Sequence, residues 1–278
     1  MPSYRPVTLL QLSVIALIQG ITEFLPVSSS GHLRLVPLMT GWPDQGLTID
    51  IAVHVGTLGA VIVYFWRDMW AMLVGLLHLV RGHTQPATRL AGHLVISTVP
   101  VVIAGAVVLH YGYESGALAR LRGIDVVGWT MAGFGIALLL ADRLGMTLRR
   151  VEHMSGGSAL FIGLAQVLAL VPGTSRAGIT MTAARMLGLE RADAARFSLL
   201  MSVPTIIESD AARRWRVYET GNMALGIDAA IAAGLAFIAA LIAIALMMRW
   251  LRRARFTPFV VYRVALGAAI LIWFYGLV

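Results

Sequence analysis

The 278-residue chain contains no cysteine and no lysine. Without cysteine there are no disulfides, no thiolate nucleophile and no Cys-ligated metal centre, and the redox compartment is left open. Without lysine there is no Walker-type phosphate loop and no Schiff-base amine. Charge of either sign is scarce: 13% of residues are charged, against about 25% in ordinary soluble domains. The net charge of +8 rests on arginine alone. Those arginines are spread over short loops between apolar runs. They form no continuous basic face, so no nucleic-acid partner is expected, and membrane-surface charge accounts for the excess.

What is abundant is apolar. Hydrophobic residues make up 58% of the chain, and its mean hydropathy is +0.80. The class expected is an all-α polytopic membrane protein, folded as one membrane domain over residues 1–278 and surrounded by membrane lipids. Arg5 followed by the apolar run 7–18 has the outline of a secretory signal. Gln19, Glu23 and Pro26 stand where its cleavage region would be, so the run reads as part of the folded chain.

Two stretches interrupt the apolar sequence with polar side chains. The first runs from Gln19 through Glu23, Pro26, Ser28, Ser29, Ser30 and Gly31 to His32. Pro26 stops the apolar segment 7–25, and the following segment 32–40 is too short to cross a bilayer, which takes about twenty residues. The pair predicts a re-entrant helix–loop–helix. The second stretch is Pro172, Gly173, Thr174, Ser175, Arg176 and Gly178, between the short segments 158–171 and 177–187. Spans are expected at 47–66, 90–110, 124–141, 194–211, 224–248 and 258–277, with 69–80 interfacial or a helix extension. Each re-entrant pair is thus followed by three spans. Halves 1–156 and 157–278 with an odd number of segments each form an inverted repeat, the plan in which broken helices meet near the midplane. Placing 67–89, 143–156 and 249–255 on the cytoplasmic side puts ten arginines there against seven opposite. Both termini then lie outside, the first polar loop opens outward and the second toward the cytoplasm.

The polar residues suit phosphate chemistry. Gln19 and Glu23 share a helix face one turn apart. Glu23 can act as a base, orient a donor or hold a divalent cation. Ser28, Ser29 and Ser30 offer hydroxyls, Gly31 a permissive backbone, and the helix start at His32 free N–H groups for an anion. His32 can serve as acid, base, nucleophile or phosphate donor. In the second loop Thr174 and Ser175 add hydroxyls, Gly173 and Gly178 add backbone freedom, and Arg176 supplies a fork matched to phosphate oxygens. Taken singly, each residue has an ordinary structural explanation as a cap or interfacial group. Together in apolar sequence they mark a functional site. His54, beside Gly56 and Thr57 in a span, is a further candidate for the lining. The remaining histidines show no metal-ligand spacing. Asp142, Glu208 and Asp210 read as interfacial, and for Arg263 snorkelling or an internal ion pair explains the residue as well as catalysis does.

These loops resemble the signature motifs of the undecaprenyl-diphosphate phosphatase family, integral-membrane enzymes associated with bacitracin resistance. The first motif, Glu/Gln-x-x-x-Glu with Pro-x-Ser-x-x-Gly-His, is met by Gln19, Glu23, Pro26, Ser28, Gly31 and His32. The second, Pro-Gly-x-Ser-Arg-x-Gly, is met by Pro172, Gly173, Ser175, Arg176 and Gly178. Weaker similarity covers Gly56 to Arg67, Phe197 to Pro204 and Phe256 to Arg263. The resemblance implies hydrolysis of undecaprenyl diphosphate to undecaprenyl phosphate for reuse as a cell-wall carrier. It implies a divalent cation, Mg²⁺ or Ca²⁺, a bacterial inner-membrane location and an active site facing the periplasm. It assigns phosphate clamping to Arg176, a base or metal-ligand role to Glu23, and the nucleophile to Ser29 or His32. Two positions depart from the family pattern: Gln19 stands where glutamate is commoner, and Ala177 where serine is frequent. The rival class is a lipid flippase or secondary transporter, which would share the repeat but need no nucleophile. The oligomeric state is open, a homodimer included.

Overall fold

The computed structural model describes residues 8–43, 46–80, 83, 85–112, 121, 123–218 and 223–276. Expectations that rest on Arg5, Arg81, Arg120 and Arg122 lie outside these residues. Among the described residues the regular structure is helical, apart from one isolated bridge between Arg149 and Leu189. The helices are α1 Leu9–Thr22, α2 Ser29–Thr40, α3 Leu47–Tyr64, α4 Trp66–Val80, α5 Pro86–Gly112, α6 Ile124–Leu144, α7 Gly156–Gln166, α8 Arg176–Met186, α9 Arg191–Tyr218, α10 Met223–Leu251 and α11 Thr257–Phe274. The chain is an all-α polytopic membrane protein. Among the described residues five helices are long and apolar enough to cross a membrane: Leu47–Tyr64, Pro86–Val108, Ile124–Leu144, Gly226–Leu251 and Thr257–Phe274. The expected span 194–211 lies inside Arg191–Tyr218, whose 28 residues suffice in length while charges crowd both of its ends.

The two broken segments form as short helices. α1 is capped by Thr8, whose hydroxyl accepts from the Gln11 amide, and it ends at Thr22. It stops earlier than the residue before Pro26, because a turn over residues 23–27 already unwinds the chain. In the second half α7 ends at Gln166 and one 3₁₀ stretch, Val167–Leu170, leads into the Pro172–Gly173 turn.

Packing between helices relies on close backbone approach. α3 and α1 both lie against α10, and α6 lies against α11. A side chain at Gly56 would run into the carbonyl of Ala233, and one at Gly267 would meet the Gly128 carbonyl at 2.7 Å. Lipid tails are as apolar as leucine, so helices in a bilayer gain from such tight contacts rather than from burial as such.

Asp142 differs from its expected interfacial place. It is 2% exposed and accepts from Arg185 Nε at 3.2 Å, from Arg191 Nε at 2.6 Å and from the Phe256 amide at 3.3 Å. One carboxylate thus ties the end of α6 to α8, α9 and the start of α11. Removing it strands two guanidinium groups, one of them fully buried. Asp142→Ala is expected to cost about 3–5 kcal/mol, the usual penalty for breaking a buried pair from one side. Thermal unfolding in detergent checks this, with turnover per folded molecule nearly unchanged.

Candidate active site

The two polar loops are built on one local plan. Ser28 and Ser175 are the non-glycine residues with positive φ among the described residues, at 74° and 67°. Each caps the helix that follows. Ser28 Oγ accepts from the Gly31 amide at 3.4 Å, and Ser175 Oγ from the Gly178 amide at 3.1 Å. The left-handed backbone is costly for a residue with a side chain, and such strain collects at functional sites. In both halves a buried glutamine, Gln19 or Gln166, lies nine residues before the capping serine. The residue just after the cap is Ser29 in one half and Arg176 in the other. The same slot at a helix start therefore carries a hydroxyl once and a guanidinium once.

Those two side chains meet on Glu23. Ser29 Oγ donates to Glu23 Oε2 at 2.6 Å, and Arg176 Nη2 donates to Glu23 Oε1 at 2.7 Å. Gln19 Nε2, one turn back on α1, donates to Oε2 at 2.9 Å. Arg176 Nη1 also reaches the Ser202 carbonyl at 3.3 Å. The pair is sheltered, with side chains 16% and 8% exposed for Arg176 and Glu23. Accepting three donors at once fixes the carboxylate's orientation.

A cavity of about 200 Å³ opens over this cluster, lined by Glu23, Ser29, Ser30, His54, Ser175, Arg176 and Thr205, with Ala169 and Ile206. The first residues of both α2 and α8 belong to its wall, so two helix starts border one space. Unpaired N–H groups and the helix dipole favour an anion at such a place. His54 gives its Nδ1 to the Asp50 carbonyl at 2.7 Å, which leaves Nε2 as the nitrogen not held by the backbone.

The structure thus brings Glu23, Ser29, Ser30, Ser175, Arg176 and His54 together, with Gln19 behind them. Other candidates stand off the cavity. Gly31 packs its backbone against Met131 and Val127. Gly173 has φ +88° and is packed so tightly on Thr130 that no side chain fits. Thr174 is fully buried, and its hydroxyl lacks a partner among the described residues. Ser28, Gly173 and Gly178 shape the loops.

His32 turns elsewhere. Its Nδ1 lies 2.7 Å from the Ser28 carbonyl, its Nε2 lies 2.6 Å from the Tyr262 hydroxyl, and its ring stacks on that tyrosine at 5.5 Å. Both nitrogens are engaged and the ring is not part of the cavity wall. Tyr262 sits 230 positions away in the chain, and nothing adjacent to His32 announces it. Ser202, Thr205 and Thr130 also escaped the sequence reading. Thr130 donates to the Pro172 carbonyl at 2.7 Å and so props the second loop. Hydroxyls in apolar helices were the available signal, but most such groups bond back to their own helix, as Thr205 does.

For a divalent cation the donor set is sparse. No group of three or more His, Asp or Glu that could hold a metal occurs among the described residues. Mg²⁺, however, commonly takes one or two carboxylates and completes its shell with substrate phosphates and water. Glu23 supplies one carboxylate, and the Gln19 amide oxygen beside it is buried with no partner among the described residues. The residues present fit a cation shared with a diphosphate.

The chain as a whole is similar to known proteins. The sequence model of a family described as bacitracin resistance protein BacA matches residues 12–269. Undecaprenyl-diphosphatase 1 of Rhodospirillum rubrum is 53% identical over 269 residues, covering 95% of this chain and 94% of that one. The undecaprenyl-diphosphatases of Roseobacter denitrificans and Ruegeria pomeroyi are each 52% identical, over 97% and 95% of this chain and 100% and 98% of theirs.

Proposed function

The chain belongs to the bacitracin resistance protein BacA family, and we propose that the cavity over Glu23 is where it carries out its reaction. The protein is an undecaprenyl-diphosphate phosphatase: it hydrolyses undecaprenyl diphosphate to undecaprenyl phosphate and inorganic phosphate. The observation that carries the site assignment is the meeting of Ser29 and Arg176 on one sheltered carboxylate, at 2.6 and 2.7 Å.

The roles follow from that contact. Arg176 and the two helix starts hold the terminal phosphoryl oxygens and offset their charge. Ser29 Oγ attacks the terminal phosphorus while its proton passes to Glu23. The bond from that phosphorus to the bridging oxygen breaks, and undecaprenyl phosphate departs with the electron pair and the proton from Glu23. Water then attacks the phosphoserine, giving its proton to Glu23, which returns it to Ser29 Oγ as phosphate leaves. A serine within hydrogen-bond reach of an oriented base is the usual arrangement for such a nucleophile. His32, with both nitrogens engaged, acts outside the cavity. Glu23 and the Gln19 amide oxygen would hold Mg²⁺ or Ca²⁺, which when bound would supply charge neutralisation on the diphosphate.

The two loops belong to inverted halves, 1–156 and 157–278, of one membrane domain. The arginine bias supports a cavity that opens to the periplasmic face of the bacterial inner membrane. Purified protein in detergent is expected to release phosphate from undecaprenyl diphosphate with Mg²⁺ or Ca²⁺ and to lose activity to a chelator. Acid quenching should trap a phosphoserine at Ser29, and Ser29→Ala should abolish it with at least a hundredfold loss of turnover, in the range set by removing such a group. Full turnover in Ser29→Ala would refute the nucleophile assignment.

A further inference from the structure

Arg263 is fully buried in the apolar helix α11 and takes part in no ion pair among the described residues. All three of its nitrogens donate to backbone carbonyls instead. Nη1 reaches Pro26 at 3.3 Å, in the first loop. Nη2 reaches Gly173 at 3.1 Å and Thr174 at 2.8 Å, in the second. Nη2 also lies 3.4 Å from the Thr130 carbonyl, and Nε 3.2 Å from that of Met131. One guanidinium therefore touches both loops and the helix that props them. The sequence has cleared room for it. A side chain at Gly178 would collide with Nη1, and one at Gly135 would stand 3.1 Å from the Arg263 Cβ. A buried charge without a counter-charge is expensive, and it persists where several oriented dipoles replace its hydration. The three loop carbonyls lie outside any helix ladder, so the arginine satisfies them as much as they satisfy it.

We propose that Arg263 is a positioning residue for phosphate release: it clamps the first loop to the second so that Ser29 and Arg176 converge on Glu23. It does not line the cavity and does not touch the reacting atoms. The proposal rests on the site assignment above. It follows that the charge alone is not enough. Lysine keeps the charge, but a single ammonium cannot span carbonyls on two loops with the geometry of a fork.

The test compares Arg263→Lys and Arg263→Gln with the unaltered enzyme in detergent. Turnover is expected to fall at least fiftyfold with KM within threefold, since a misplacement of about 1 Å can cost a hundredfold. The second readout is the distance between the loops. The chain has no cysteine, so nitroxides on Met39→Cys and Met186→Cys report without background. These positions are 80% and 63% exposed, on the helices that start at Ser29 and Arg176. In either Arg263 variant the distance distribution should shift or broaden. Unchanged turnover overturns the proposal, and so does lost turnover with an unchanged distribution, which would make Arg263 a direct participant. Gly135→Ala retains every donor and only crowds the arginine, so it keeps the proposal testable if the charge variants do not fold. It must show both changes in smaller degree, and their absence also overturns the proposal. Failure of the unaltered enzyme to release phosphate would instead refute the site reading itself.

Discussion

Glu23→Gln lowers turnover of undecaprenyl diphosphate by about a thousandfold or more. A general base alone is commonly worth 10²–10⁴, and here the same carboxylate also orients its two partners. The amide keeps the size and can still accept from Ser29. It cannot take the serine proton, and it no longer balances the Arg176 charge at 2.7 Å. The loss should lie mainly in kcat. Thermal stability should fall as well, because the Arg176 guanidinium loses its carboxylate counter-charge in a site where its side chain is 16% exposed. Rates of phosphate release and a melting curve on the same preparation separate the two effects. Turnover within tenfold of the unaltered enzyme would remove Glu23 from the base role.

Arg176→Ala is expected to lose about a thousandfold, near the upper end for removing a donor aimed at developing charge. Arg176→Lys should recover part of this, since a point charge replaces the fork. Because Ser29, Glu23 and Arg176 act as a unit, the losses should not add. The double variant Glu23→Gln, Arg176→Ala should be little slower than the worse single variant. Multiplicative losses would mean that the two residues serve separate steps, contrary to the contact between them.

Both loops were legible in the sequence for one reason. Polar side chains inside apolar sequence have no water to satisfy them, so a cluster of them implies a shared task. The short segments beside Pro26 and Pro172 likewise announced broken helices, and they form as such. What was illegible is contact between distant parts of the chain. Arg263 binds carbonyls, and every residue carries one, so its partners leave no signature. Asp142 stands at the end of a span, as interfacial acids do, yet its partners Arg185 and Arg191 come from the other half. His32 follows the serines directly and looked like their neighbour in the site. Its ring is drawn instead to the Ser28 carbonyl and to Tyr262, while His54 from α3 reaches the cavity wall. The shared plan of the halves was also faint. Gln19 lies seven residues before Pro26 and Gln166 six before Pro172, whereas both lie nine before the capping serines Ser28 and Ser175.

The central claim is that one phosphate site is assembled from both loops. It is tested most directly by an experimental structure of the protein with a methylene-bridged, non-hydrolysable analogue of undecaprenyl diphosphate. The account predicts the terminal phosphonate in the cavity over Glu23, with its oxygens on Arg176 and its phosphorus facing Ser29 Oγ. A head group bound away from that cavity, for example in the space of about 310 Å³ bordered by Arg89, His93 and Arg196, would contradict it.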